Sequence, residues 1–143
     1  MRSITFLALF VFIFSTKLIF CQIVINEIQA APIGDEPEWI EFYNNSDNPS
    51  EIFLAYISDA ARSKKISIFK INGYSYTLIT KDTTTLKQRY SIPDDCILIE
   101  ATIPTLNNTN DIITLINTDS TLIDSVYYDM NWGKKGISLE RRI

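Results

Sequence analysis

The sequence predicts an all-β fold, an antiparallel sandwich with one short helix. Short runs of apolar and β-branched residues show the two-residue period of half-buried strands, and clusters of turn-forming residues separate them. These runs recur at intervals of roughly 8–20 residues, as in sandwiches. No part of the chain alternates strands with long helices, so a doubly wound dinucleotide-binding fold is excluded.

Length and composition narrow the class further. The chain has 143 residues, of which 46% are hydrophobic and 21% charged, as expected for one globular domain. It contains no histidine, which excludes the usual catalytic triads and every histidine-based metal site. Its two cysteines, Cys21 and Cys96, are too few for a zinc knuckle or a disulfide framework.

Residues 1–21 are predicted to be a signal peptide, and residues 22–143 the folded domain. Arg2 precedes an apolar run over 4–14, and small residues follow, which is the pattern of export signals. A membrane anchor is an alternative, but Lys17 interrupts the run. Lipidation of Cys21 and a buried N-terminal helix are two further alternatives. We expect a secreted or cell-envelope protein with no stable membrane span after cleavage.

The charge balance of the domain is acidic. Residues 1–21 hold two of the 13 basic residues and none of the 17 acidic ones, so residues 22–143 carry a net charge of −6. Phosphate backbones are bound by clustered lysine and arginine, so this balance argues against a general nucleic-acid surface.

The first strands follow directly from the pattern. Residues 23–28 form an apolar, β-branched run, and the loop 30–36 follows. In the strand 38–43, Ile40 and Phe42 share one face, so that face is predicted to be buried. The next predicted elements are a turn at 44–50 and a strand at 51–59.

Asn72-Gly73 is the strongest local turn signal in the chain. It separates the β-rich runs 65–71 and 74–79, and Asn-Gly suits a type I′ turn in which both central residues have positive φ. The sequence therefore predicts that these two runs form a hairpin.

The remaining predicted elements complete the sandwich. Asp82 begins a short helix that ends near Tyr90, with Leu86 four residues before Tyr90 on the same face. A short strand at 96–100 follows, in which Cys96 is expected to be a small core residue. After a turn, the chain is predicted to form a hairpin and a last strand, with strands at 111–116, 122–127 and 137–141.

Six segments in this order resemble the successive signatures of the lamin-tail domain family. They are 25–28, 38–44, 57–59, 111–115, 123–126 and 138–141. The resemblance implies an immunoglobulin-like, non-catalytic sandwich, and the signal peptide places the chain with the bacterial exported branch. The sequence departs from the family at Leu54-Ala55, where a Gly-Trp pair is common, and at Asn110, where Gly is common.

No catalytic residues, metal or cofactor are predicted. Glu38 and Glu41 are the nearest approach to a carboxylate pair, but their odd offset points them to opposite faces of a strand, so they are expected to be solvated. The weak calcium candidates are Asp35, Glu36 and Asp47, whose loops turn chemistry also explains.

Aromatic residues are the candidate binding residues. Trp39, Tyr43 and Trp132 are taken as surface aromatics that would bind a protein or glycan partner, although core and cross-strand packing are commoner uses of such side chains. Basic pairs at 64–65, 134–135 and 141–142 are expected to be solvated.

Three functions remain open at this point. The leading hypothesis is a non-catalytic exported or cell-surface module for binding, adhesion or targeting, possibly a fragment of a larger protein. The alternatives are an accessory domain of an exported hydrolase of nuclease or phosphoesterase type, whose catalytic part is missing, and a nucleic-acid-binding module like that of lamins.

Overall fold

The computed structural model describes residues 22–142 as a two-sheet sandwich. The strands are β1 (Ile23–Gln29), β2 (Trp39–Asn44), β3 (Ser50–Ser58), β4 (Ser63–Ile71), β5 (Tyr76–Thr80), β6 (Ile97–Glu100), β7 (Asn110–Asn117), β8 (Leu122–Asp129) and β9 (Leu139–Glu140). Helix α1 spans Thr83–Arg89, and a 3-10 turn spans Met130–Trp132. The predicted signal peptide lies outside the described residues.

The strands divide into one sheet of five and one of four. The five-stranded sheet has the order β6-β5-β2-β1-β9, and the four-stranded sheet has the order β4-β3-β7-β8. The predicted immunoglobulin-like sandwich with one short helix is therefore confirmed for the described residues. The hairpin of β7 and β8 is also confirmed, with Ile112 opposite Tyr127.

The core lies between the sheets and consists mainly of isoleucine. Ile40 and Phe42 are fully buried, as their alternation predicts, while Glu41 between them faces outward. The facing sheet contributes Ile57, Ile113 and Leu115, which are also fully buried. Each such side chain stabilises the fold by about 1.5–3 kcal/mol relative to exposure.

One strand pair is parallel rather than antiparallel. β5 and β6 run parallel, with Leu78 opposite Leu98, and a parallel pair requires a crossover connection. Helix α1 lies in that crossover and begins at Asp82, whose carboxylate accepts a hydrogen bond from the Thr85 amide at 2.9 Å. Its buried Leu86 packs on the outer face of the five-stranded sheet.

The predicted Asn72-Gly73 hairpin is wrong. β4 pairs with β3 in one sheet and β5 pairs with β2 in the other, so Asn72-Gly73 carries the chain between sheets. Gly73 is not among the residues with positive φ, and Tyr74 has φ 50° instead. Glycine is needed at 73 for space, since a Cβ there would lie 2.2 Å from the carbonyl oxygen of Asp47.

Asn44 holds this crossing in place. Its side chain is fully buried, and its amide nitrogen donates to the carbonyl oxygens of Asn48, Ile71 and Asn72 at 2.8, 3.2 and 3.0 Å. Its amide oxygen accepts from the Ser46 hydroxyl at 2.9 Å. One side chain at the end of β2 therefore satisfies backbone carbonyls from the turn before β3 and from the end of β4.

We expect Gly73→Asn to lower the free energy of unfolding by about 1–3 kcal/mol, because its Cβ overpacks against the backbone of Asp47. A left-handed turn residue would tolerate asparagine. Gly34→Asn is the matched control, since Gly34 has φ +65° and its added Cβ would meet Arg89 at an ordinary 3.8 Å. Urea unfolding of both variants tests this, and equal, small losses would contradict the close approach at Gly73.

Candidate functional site

A cleft of about 660 Å³ lies at the edge of the sandwich where β8 of one sheet faces β9 of the other. Apolar side chains of both sheets line it, among them Ile28 from β1 and Val126 from β8. Residues 137–142 form its opposite wall. The cleft is thus built from β1 and from residues 126–142.

The carboxylate of Asp124 joins these parts. It accepts a hydrogen bond from the Ile25 amide at 2.7 Å and forms an ion pair with Arg141 at 3.0 Å. Arg141 also donates to the carbonyl oxygen of Ser125 at 2.9 Å. The side chains of Arg141 and Asp124 are 23% and 12% exposed, so solvent screens this pair far less than a surface pair.

Two aromatic rings form the outer wall of the cleft. Trp132 is 66% exposed and Tyr127 47% exposed, and their rings meet edge to face with centroids 5.6 Å apart. The 3-10 turn positions the indole, because the Asp129 carboxylate accepts from the Asn131 amide at 2.8 Å and caps that turn. A large apolar surface is therefore held in place in contact with water.

The segment 130–142, which supplies Trp132 and residues 137–142 to the lining of the cleft, is basic, although the domain is acidic. Residues 130–142 contain four basic residues and one acidic residue, a net charge of +3, whereas residues 22–129 contain seven basic and 16 acidic residues, a net charge of −9. Lys134, Lys135 and Arg142 are exposed, and no carboxylate of residues 22–142 forms an ion pair with them.

The three predicted binding aromatics lie in three different places. Trp132 lines the cleft. Tyr43 lies on the outer face of the five-stranded sheet, stacked on Tyr76 with centroids 4.8 Å apart. The surface placement of Trp39 is wrong, because this residue is 5% exposed, packs with Leu86 of α1 and meets Tyr90 edge to face.

Sequence reasoning did not join Tyr127 and the basic residues of 130–142 to Trp132 as parts of one site. The signal that could have found them is the density of charge around Trp132, with basic pairs at 134–135 and 141–142 on an otherwise acidic chain. Taken separately, each pair had the appearance of an ordinary solvated surface.

The structure does not assemble the weak calcium candidates. Asp35 pairs with Arg89 at 2.8 Å, and the buried Glu36 accepts from the Tyr90 hydroxyl. Asp47 lies after the C-terminal end of β2, whereas Asp35 and Glu36 precede its start, and the Asp47 carboxylate accepts a hydrogen bond from the Asn48 side-chain amide at 2.7 Å. Within residues 22–142, no three acidic or sulfur ligands come together.

Glu38 and Glu41 are half-buried rather than fully solvated as expected. Burial raises the pKa of Glu38, which accepts from the Leu106 amide at 3.2 Å. Burial also raises the pKa of Glu41, which is opposite Glu27 across the strands and accepts from Asn26 at 2.8 Å. Each carboxylate therefore already accepts a hydrogen bond from a neighbouring residue.

Cys96 packs at the margin of the Trp39–Leu86 cluster, half-buried. Burial raises the pKa of its thiol to about 11, so it stays protonated and unreactive at neutral pH.

None of the helices in residues 22–142 has the length and apolar character needed to cross a membrane.

The comparison with known families agrees with the sandwich. The family described as Lamin Tail Domain matches residues 20–129. The chain belongs to the lamin tail domain family. Its members are non-catalytic, immunoglobulin-like domains. No curated protein matches the chain.

The family match ends at the last residue of β8. Trp132 and the basic residues of 130–142 thus lie beyond the matched part of this lamin tail domain, while β8 and Asp124 lie within it. Of the two aromatic rings of the outer wall, Tyr127 lies within the matched part and Trp132 lies beyond it.

We expect Asp124→Asn to lower the free energy of unfolding by about 1.5–3 kcal/mol, because Arg141 and the Ile25 amide lose a charged acceptor. Glu51→Gln is the control, since its ion pair with Lys70 is 3.9 Å long and about half-exposed, and such pairs contribute about 0–1 kcal/mol. Thermal and urea unfolding measure both. A loss for Asp124→Asn no larger than that for Glu51→Gln would contradict the role of Asp124.

Proposed function

We propose that this lamin tail domain is a non-catalytic, exported module that binds a segment of a partner protein in the cleft between β8 and β9. The observation that carries the proposal is the exposed pair of Tyr127 and Trp132 beside an edge strand. Aromatic rings that are rigid and exposed are favoured anchors in protein recognition. An edge strand adds unpaired backbone groups, which recognise peptides rather than sugars.

The alternatives find less support in the described residues. A glycan would use the aromatic rings but not the backbone of the edge strand. Binding to nucleic acid would use the basic residues of 130–142 but, like glycan binding, not the backbone of the edge strand, and the net charge of −6 over residues 22–143 also opposes it. Catalysis by Glu38 and Glu41 is disfavoured because each carboxylate already has a partner in the fold.

Export is the second part of the proposal. It is supported by the charged start, the apolar run and the absence of acidic residues over 1–21. β1 begins at Ile23, two residues after the expected cleavage site, so every strand that the structure describes lies in the part of the chain that remains after cleavage.

We expect expression in a secreting host to yield a chain that begins at Gln22. Intact mass and N-terminal sequencing measure this directly. A mass larger by a lipid would indicate that Cys21 is retained and acylated. Recovery of a soluble cytoplasmic chain that still begins at Met1 would contradict both cleavage and export.

Binding is tested by panning the immobilised domain against a displayed library of random dodecapeptides and, in parallel, against a glycan array. We expect peptides to be enriched, to be recovered uncleaved, and to lose binding to a Trp132→Ala variant. Tyr43→Ala is the matched control, since Tyr43 lies on another face, and it should bind as the parent does. Binding of glycans alone, cleavage of the peptides, or peptide binding that survives Trp132→Ala would overturn the proposal.

A further inference from the structure

On the side of β8 that faces away from β7, some backbone N–H and C=O groups have no strand to pair with. β8 is an edge strand, and the Ser125 carbonyl oxygen points away from β7, because it accepts from Arg141 across the cleft. The Met130 amide, five residues on, points the other way and donates to Thr109 beside β7 at 2.7 Å. Alternation along a strand therefore directs the N–H and C=O of Tyr127 into the cleft, where no hydrogen bond from residues 22–142 meets them.

The two halves of this edge differ. The first half, around Asp124 and Ser125, is covered, because Arg141 and the backbone amide of Ile25 hydrogen-bond to these two residues. The second half, 126–129, has no strand beside it and lies next to Trp132. An added segment would therefore pair over three or four residues, and the aromatic wall would supply the rest of the contact.

Charge selects among the segments that would fit. Arg142 lines the cleft, and Lys134 and Lys135 lie in the turn between its lining residues Gly133 and Ile137. All three are exposed, and no carboxylate of the described residues forms an ion pair with them. Because like charges brought together across an interface are strongly unfavourable, this wall rejects basic segments and attracts acidic ones.

We propose that the occupant of the cleft is an acidic, extended segment of a partner protein that adds a strand to residues 126–129 of β8. The backbone of the segment bonds to Tyr127, its apolar side chains pack on Tyr127 and Trp132, and its carboxylates meet the three cations. This inference rests on the proposed function and specifies the chemistry of the partner.

The probes are three octapeptides in which valine or phenylalanine alternates with a charged residue. One carries glutamate, one carries lysine in its place, and one is the glutamate peptide with alternate backbone amides N-methylated, so that it cannot donate to a strand. Titrations follow the emission of the exposed Trp132, with the buried Trp39 as a constant background, and the amide resonance of Tyr127 by NMR.

We expect the glutamate peptide to bind about tenfold or more tightly than either of the others, and to weaken as salt is raised. Substituting glutamine for Lys134, Lys135 and Arg142 together should lower its affinity by a similar factor. The matched control replaces Lys64 and Lys65 of β4, which are exposed at the opposite edge of the four-stranded sheet from β8.

The outcomes separate this inference from the proposed function. Equal binding of the lysine peptide, or of the N-methylated peptide, would overturn the acidic strand while leaving a peptide-binding cleft, provided that Trp132→Ala still abolishes binding. Absence of any peptide binding, here and in the panning experiment, would overturn both. Concentration-dependent dimers in which Tyr127 shifts without peptide would show that a second copy occupies the edge, and would also overturn the inference.

Discussion

The carboxylate of Asp124 is the constraint on which the open edge of this sandwich depends. β9 pairs with β1 through two residues, Glu140 and Leu139, so its ladder alone is too short to hold the end of the chain. Arg141, directly after β9, supplies what the ladder lacks by bridging to Asp124 in the opposite sheet. Asp124 thereby joins β1, β8 and the segment after β9, alongside the backbone hydrogen bonds that Arg141 and Gly136 donate to Asn26 and Ala31 at 2.7 and 2.8 Å.

The far end of β2 is closed by different chemistry. There Asn44 uses a neutral amide to satisfy three backbone carbonyls in a place from which water is excluded. The Asp124–Arg141 pair is an interaction between charges, so ionic strength affects it more than it affects the Asn44 contacts, which do not involve charge. Neutral hydrogen bonds of Asn44 therefore hold one part of the sandwich, and the Asp124–Arg141 ion pair holds the part that contains the candidate cleft.

The parts of this structure that sequence reasoning predicts are those set by neighbours in the chain. The burial of Ile40 and Phe42 follows from strand alternation, and the Asp82 cap follows from its position before a helical stretch. The errors come from distant contacts. Strand alternation correctly predicts that Trp39 points away from the core between the sheets. It does not predict that helix α1 covers Trp39 on the outer face of the five-stranded sheet.

Asn72-Gly73 shows the same limit for a turn. A two-residue turn between β-rich runs has the same local sequence whether the runs pair or separate into two sheets. Here the outcome depends on two residues more than 20 positions earlier. Asn44 donates a hydrogen bond to the Asn72 carbonyl oxygen, and the backbone of Asp47 approaches position 73 so closely that only glycine fits. The candidate site was likewise hidden in the sequence, because Tyr127 and Arg142 become neighbours through the fold alone.

The order in which the chain is made has a consequence for the cleft. The amide of Ile25 meets a carboxylate 99 positions later, and Glu27 meets the Ser138 hydroxyl 111 positions later. Contacts between such distant positions close large loops and form slowly. A growing chain therefore holds β1 without these neighbours until residues 124–138 have been synthesised. The cleft therefore forms only after this late segment has been made, and a nascent chain that has not reached it lacks the cleft.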